Sequence, residues 1–340
     1  MKIIDLEAHI LTKSYLDCLR SRNGFPRWET READGRKQEG ILLTPEIWTS
    51  RVKTMVPLLD REEIRLAEMD QAGIAMQVIT LAGPGCELFE PSEGTEIARE
   101  SNNELAEVIT KHPDRFVGMA ALAPQEPEKA ADELERCVKE LDFRGAKINS
   151  HVRGEYLDDR KFWVIFEQLE QLDIPLYIHP RLPSPSMLKA YADYGYGLAG
   201  PGLGFAAETQ LHAYRLIYSG LFDQFPKLKI MLGHMGEGLP FWMFRMDHPW
   251  SSLSDGKVTV KKKPSYYAKN NFVITTSGMF YVPAILCGYL ALGADNIVFA
   301  SDYPFEKSSH ASDFIQNVPI CDADIEKICH GNAEKLLKLN

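Results

Sequence analysis

The chain has little of what would mark it for a membrane, a nucleic acid or an oxidising compartment. No apolar run approaches the roughly 20 residues that a bilayer span needs. The first strand-like stretch begins at residue 2 with no leader-like segment before it, so we expect neither signal peptide nor membrane anchor. Six cysteines in 340 residues form no Cys-x-x-Cys and keep no regular spacing, the usage of reduced thiols in a cytoplasmic protein. The only basic run is residues 261–263, and the net charge is −10 with both signs interspersed, which argues against a nucleic-acid partner. No Gly-x-Gly-x-x-Gly follows the first strand, which weakens a dinucleotide-binding fold. Internal repeats and low-complexity segments are missing too. What remains, 45% hydrophobic and 25% charged residues, is an ordinary globular composition with mass for a large core.

Strand-like apolar runs then alternate with helical periodicity along most of the chain. Strands are expected at 2–9, 76–81, 116–122, 145–148, 175–179, 228–234, 272–276 and 297–302. Helices are expected at 58–72, 95–111, 127–141, 160–172, 205–220, 282–292 and 322–339. Eight strands with helices between them predict a (β/α)8 TIM barrel, one domain over 1–340. Residues 11–56 lack steady periodicity beyond a partial helix at 13–19, and read as a long insertion after the first strand, lying over the carboxyl rim.

Four of those strands end in a histidine, aspartate or glutamate. Glu7 and His9 stand two apart, on one face of the first strand; Ile178-His179-Pro180 ends the fifth. Leu232-Gly233-His234-Met235-Gly236-Glu237 ends the sixth, and Ser301-Asp302-Tyr303-Pro304 the eighth. A carboxylate beside an imidazole suits a divalent ion, and equally a satisfied histidine with an ion-paired glutamate. His179 and Asp302 at two further strand ends favour the ion, because core strands rarely end in a charge that has no partner.

In order and position these motifs resemble the amidohydrolase superfamily, and most closely its non-oxidative decarboxylases. The resemblance runs from residue 1 to about 337 and is poorest across 11–56 and 182–204. It implies that Glu7, His9, His179 and Asp302 bind one divalent ion, zinc or manganese, with no organic cofactor. It implies decarboxylation of a hydroxylated aromatic acid, by protonation of the ring carbon before CO2 leaves. Asp302 would be the acid, and His234 would handle the phenolic proton or polarise the substrate. Glu237 would fix the tautomer of His234, or simply be a favourable charge at a helix start. Arg245 matches an arginine that holds the substrate's polar groups, with an ion pair to Asp247 or a neighbour as the alternative. Arg51 could play a similar part from the insertion but is expected at the surface, and Lys147 is expected to pair with a carboxylate, with a substrate contact as its alternative. Gly83-Pro84-Gly85 resembles a loop after the second strand where backbone approaches ligand. Phe241, Trp242, Tyr303 and Phe305 line the pocket or, as aromatics at such spacing more often do, fill the core. The other histidines read as structural, His151 lying nearest the rim. A homodimer or homotetramer follows from the same resemblance. A hydrolase or lactonase using metal-activated water is the alternative activity.

Overall fold

A computed structural model of the chain describes residues 1–33, 35–51, 53–248, 250 and 260–339. Its strands are β1 (Ile4–Ile10), β2 (Arg27–Ala33), β3 (Arg36–Leu42), β4 (Trp48–Ser50), β5 (Met76–Leu81), β6 (Phe116–Ala121), β7 (Gly145–Asn149), β8 (Leu176–His179), β9 (Ile230–Leu232), β10 (Phe272–Thr275) and β11 (Ile297–Val298). Eight of them form one parallel sheet in the order β1-β5-β6-β7-β8-β9-β10-β11. The sheet closes on itself where Leu6 N donates to Phe299 O at 3.0 Å and His9 N to Tyr303 O at 2.8 Å. With helices between successive strands, this is the (β/α)8 barrel that the alternation predicts.

Both faces of the barrel strands are buried, which is why they read as continuous apolar runs rather than as alternating ones. Ile4, Leu6, Val78, Met119, Tyr177 and Met231 pack inside the barrel. Ala8, Ile79, Phe116, Ile148, Ile178 and Leu232 pack outward against the helices. In β1 the register against β5 shifts between Asp5 and Ala8. Such a bulge re-aims side chains next to a site: Leu6 belongs to the inner cluster, and after the shift Glu7 and His9 take the inward positions.

Residues 11–56 are more ordered than their pattern suggests. Thr12 caps the helix Lys13–Ser21, its hydroxyl accepting from Tyr15 N at 3.4 Å. β2, β3 and β4 then form a separate antiparallel sheet. Arg27-Trp28-Glu29-Thr30-Arg31-Glu32-Ala33 is charged on both of its faces, so no period-two hydrophobic signal betrays the strand. Asp34 and Val52 lie outside the described residues. Three further departures are local. β9 and β11 stop before the expected His234 and Asp302, the helices Pro264–Asn271 and Ser308–Gln316 were not anticipated, and the last helix is split by a wide turn at Lys327–Gly331.

Candidate active site

At the carboxyl rim, Glu7, His9, His179 and Asp302 each turn one ligand-type atom to a common point, all within 4.8 Å of one another. Glu7 and His9 are fully buried. The Glu7 carboxylate accepts from the Tyr177 hydroxyl through Oε2. Its Oε1 lies 3.2 Å from His179 Nε2 and 3.5 Å from His9 Nε2. The His179 ring is oriented by Nδ1–H donating to Pro180 O at 2.8 Å, which leaves Nε2 for the cluster. Thr80 Oγ1 stands 3.2 Å from His9 Nδ1 and performs the same service for that ring. Burial keeps the His179 imidazole neutral, its pKa pushed down to about 3. Burial pushes the Glu7 carboxyl the other way, but the imidazoles of His179 and His9 outweigh it and hold the group well below the usual carboxylate range.

Glu7 Oε1 is buried without a hydrogen-bond partner. Native structures seldom leave such an atom orphaned, and two imidazoles with two carboxylates are a donor set for a divalent ion of borderline softness. The residues therefore fit one divalent metal.

Asp302 joins this cluster to a second pair. Its Oδ1 is 3.1 Å from His9 Nε2, and its Oδ2 is 3.7 Å from His234 Nε2. His234 follows β9 in a run of left-handed backbone, with φ of +48° at His234, +57° at Met235 and +52° at Glu237. That tight turn lets Glu237 Oε1 accept from His234 Nδ1–H at 2.7 Å, so Nε2 faces Asp302. Burial disfavours a charged imidazole, yet Glu237 and Asp302 beside it raise the His234 pKa well above its ordinary value. β10 supplies support that sequence reasoning missed. Ser277 Oγ accepts from His234 N at 3.2 Å. A Cβ on Gly278 (φ +59°) would lie 3.0 Å from the His234 ring and 3.4 Å from Asp302 Oδ2, so glycine lets the backbone approach both. The polar Thr276-Ser277-Gly278 after an apolar strand was the available signal.

A cavity of about 760 Å³ opens above these groups, lined by His179, His234 and Asp302 at its floor and by Arg51 and Phe305 beside them. The expectation of a surface Arg51 is overturned: it is only 9% exposed. Its guanidinium sits 5.3 Å from the Phe305 ring centroid, and that ring lies 5.4 Å from the His9 ring. Arg31 and Arg61, on either side in sequence, pair with Glu29 and Glu104. Arg51 has no carboxylate within ion-pairing distance among the described residues and donates to Thr49 Oγ1 at 3.2 Å. The residue was misjudged because its polar neighbours look solvated until the insertion folds onto the rim.

Lys147 also departs from expectation. It pairs with no carboxylate among the described residues; Nζ donates to Leu81 O at 2.7 Å and lies 3.3 Å from His9 Nδ1. Burial lowers its pKa to about 8. Arg245 does not join the site within this chain. It is exposed on the helix Leu239–Asp247 and is not among the cavity-lining residues. Among the described residues it makes no ion pair with Asp247, which accepts instead from Ser265 N and Oγ. Phe241 and Trp242, on the same helix, are 72% and 45% exposed rather than core or pocket. Tyr303 is buried outside the cavity, beneath the Arg65 guanidinium at 4.7 Å. His151 does line the cavity, as does Gly83-Pro84.

The model of the amidohydrolase family matches residues 4–339. The chain belongs to the amidohydrolase family. Among curated relatives of this amidohydrolase, γ-resorcylate decarboxylase from Polaromonas sp. is 44% identical over 292 residues, covering 83% of this chain and 89% of that protein. A solved dihydroxybenzoic acid decarboxylase from Polaromonas sp., with bound manganese and the inhibitor 2-nitroresorcinol, superposes with a TM-score of 0.86 at 38% identity, covering 100% of this chain and 97% of that one. The 5-carboxyvanillate decarboxylase from Sphingomonas paucimobilis superposes with a TM-score of 0.89 at 34% identity, covering 100% and 99%.

Proposed function

We propose that this amidohydrolase is a metal-dependent, non-oxidative decarboxylase of a hydroxybenzoate-like acid. It is a carbon–carbon lyase, as are the decarboxylases that match most of its length. The observation that carries the reading is the bridging position of Asp302, one oxygen 3.1 Å from His9 in the metal-ligand cluster and the other 3.7 Å from His234.

The chemistry needs that arrangement. Direct loss of CO2 would strand an electron pair in a ring orbital with no delocalisation, so the carbon bearing the carboxylate must be protonated first. A divalent ion held by Glu7, His9, His179 and Asp302 supplies charge stabilisation to an oxygen of the substrate and a template for its orientation. Arg51, a buried guanidinium on the cavity wall with no carboxylate within ion-pairing distance among the described residues, holds the anionic end of the ring. Asp302 delivers the proton to the ring carbon, and His234, locked by Glu237, resupplies it. The carbon–carbon bond then breaks, its electrons restore the aromatic ring, and the carboxylate leaves as CO2. Manganese is the ion we favour over zinc, on the manganese bound in the Polaromonas structure.

The exposed aromatic face of the helix Leu239–Asp247, where Phe241 and Phe244 are 72% and 74% exposed, supports a homodimer or homotetramer. Arg245 lies on that face, and we assign it a substrate contact only toward a second copy of the chain. Six free cysteines support a cytoplasmic location. Among the described residues no helix is long and apolar enough to cross a membrane.

Incubation of the manganese-loaded protein with γ-resorcylate in deuterated, heavy-oxygen water tests the activity. Resorcinol carrying one ring deuterium and no heavy oxygen is expected. No release of CO2, together with opening of an ester or lactone that incorporates heavy oxygen, would replace this reading with the hydrolase.

A further inference from the structure

The cavity is far larger than a single dihydroxybenzoate ring requires, and one stretch of its wall is uncharged. About 760 Å³ is the size that buries a drug-sized ligand. His179, His234, Asp302 and Arg51 sit at the floor, where the ring's carboxylate and hydroxyls belong, while Arg36, Lys37 and Lys53 stand at the mouth. Leu88, Leu182, Leu188, Tyr196 and Phe205 line another part of the same cavity, and not one of these five side chains carries a charge. They come from the loop after β5 and from the stretch 182–205 after β8.

This wall is fixed rather than fluid. Leu182 is 8% exposed and belongs to a hydrophobic cluster with Leu11, Tyr15, Leu81 and Phe89. Leu188, Tyr196 and Phe205 pack on that cluster, and the Tyr196 and Phe205 rings meet edge to face at 6.0 Å between centroids. His151 ties the stretch to the barrel, its Nε2–H donating to Leu182 O at 3.1 Å. A pre-formed apolar wall returns the full benefit of burying apolar surface, because little ordering is left to be done on binding.

We infer that the substrate carries, beyond its acid and hydroxyl groups, an uncharged apolar ring substituent of several carbons, alkyl or aryl, which lies against the Leu182–Phe205 wall. The inference rests on the decarboxylase reading for the polar end of the ligand, and on the cavity alone for the apolar end. The Leu88, Leu188 and Phe205 side chains set the length that is accepted, while the floor groups do the chemistry.

Two measurements test it. The first is calorimetric binding of resorcinol and of its pentyl homologue, the alkyl group being opposite the carbon between the hydroxyls, to the manganese-loaded protein. A buried methylene contributes up to about fourfold in affinity, so the pentyl compound should bind at least about 30-fold more tightly. The second compares kcat/KM for γ-resorcylate and its pentyl homologue, which should favour the homologue by a similar factor. Leu188→Trp, which narrows the wall, should cut both ratios at least about fivefold. Equal affinities for the two resorcinols overturn the inference whether or not CO2 is released. Tighter binding of the pentyl compound without CO2 release from either acid upholds the apolar subsite and overturns the decarboxylase reading instead.

Discussion

The cavity has a floor and a roof, and they are built on opposite principles. The floor is made of barrel strand ends: Glu7 and His9 are fully buried on β1, and His179 ends β8. Their backbones are locked in a closed parallel ladder, so the side chains are held before any ligand arrives. The roof comes from the separate antiparallel sheet β2–β4 and from the stretch 182–205. Along β3 exposure gives way to burial, from Arg36 and Lys37 at one end to Ile41 and Leu42 at the other. Reaction chemistry lies in the part that cannot move, and choice of substrate lies in the parts that vary in length without disturbing the barrel.

If that division holds, floor changes should abolish turnover with the fold intact. On the proposed mechanism, Asp302→Asn keeps the shape but removes both a metal-ligand charge and the transferable proton. We expect kcat to fall by about 10,000-fold or more, while the melting temperature measured by circular dichroism stays within a few degrees. Turnover within tenfold of the parent would remove Asp302 from its role.

The join between floor and roof has its own pH signature. His151 donates from Nε2 to Leu182 O at 3.1 Å and accepts at Nδ1 from Gly154 N at 3.0 Å, which requires a neutral ring. Burial, reinforced by the charge of Arg181, lowers its pKa from 6.5 to about 3. Between those values the unfolded chain binds a proton that the folded chain refuses. The stability this group contributes is therefore whole above the unfolded pKa and is lost as pH falls toward the folded one, at most about 5 kcal/mol over the full span. In urea unfolding near neutral pH and at about pH 4, His151→Gln should lose less stability on acidification than the parent. Equal losses would show that this histidine does not seal the two parts together.

Arg51 belongs to the roof's chain but works at the floor, so it sharpens the boundary. Arg51→Ala should raise KM by about 30-fold, the loss of roughly 2 kcal/mol of charge-assisted binding, with a smaller change in kcat. A fall in kcat alone would place it among the groups that act on the reaction itself.

The same boundary governs what could be read from the chain beforehand. The floor was legible because Glu7, His9, His179 and Asp302 each interrupt apolar sequence, where an unpartnered charge is costly. The bulge that aims Glu7 inward was not, since nothing in Asp5-Leu6-Glu7-Ala8 marks a register shift. Nor was the left-handed backbone at His234 and Asp302, neither of which is a glycine. The roof was illegible for a different reason. Its strands are stabilised by what they cover, so Arg27–Ala33 and Arg36–Leu42 look solvated until the barrel is beneath them. Arg51 inherited that misreading, and Phe241 and Trp242 the reverse one, as aromatics that local spacing assigns to a core that is not there.

The smallest effect tests whether the roof does more than provide shape. Arg36, Lys37 and Lys53 are exposed on the cavity lining and have no carboxylate within ion-pairing distance among the described residues. Around them is a protein of net charge −10. Three unpaired cations at one mouth produce a local field that draws the substrate in, and such a field acts on encounter rather than on the bound complex. Replacing all three with glutamine should therefore lower kcat/KM by about threefold to fivefold at low ionic strength and leave kcat alone. The difference should shrink as salt approaches 1 M, where charges are screened beyond roughly 3 Å. A loss that persists at high salt would mean direct contact with the ligand, and the division between a chemical floor and a selective roof would have to be redrawn at β3.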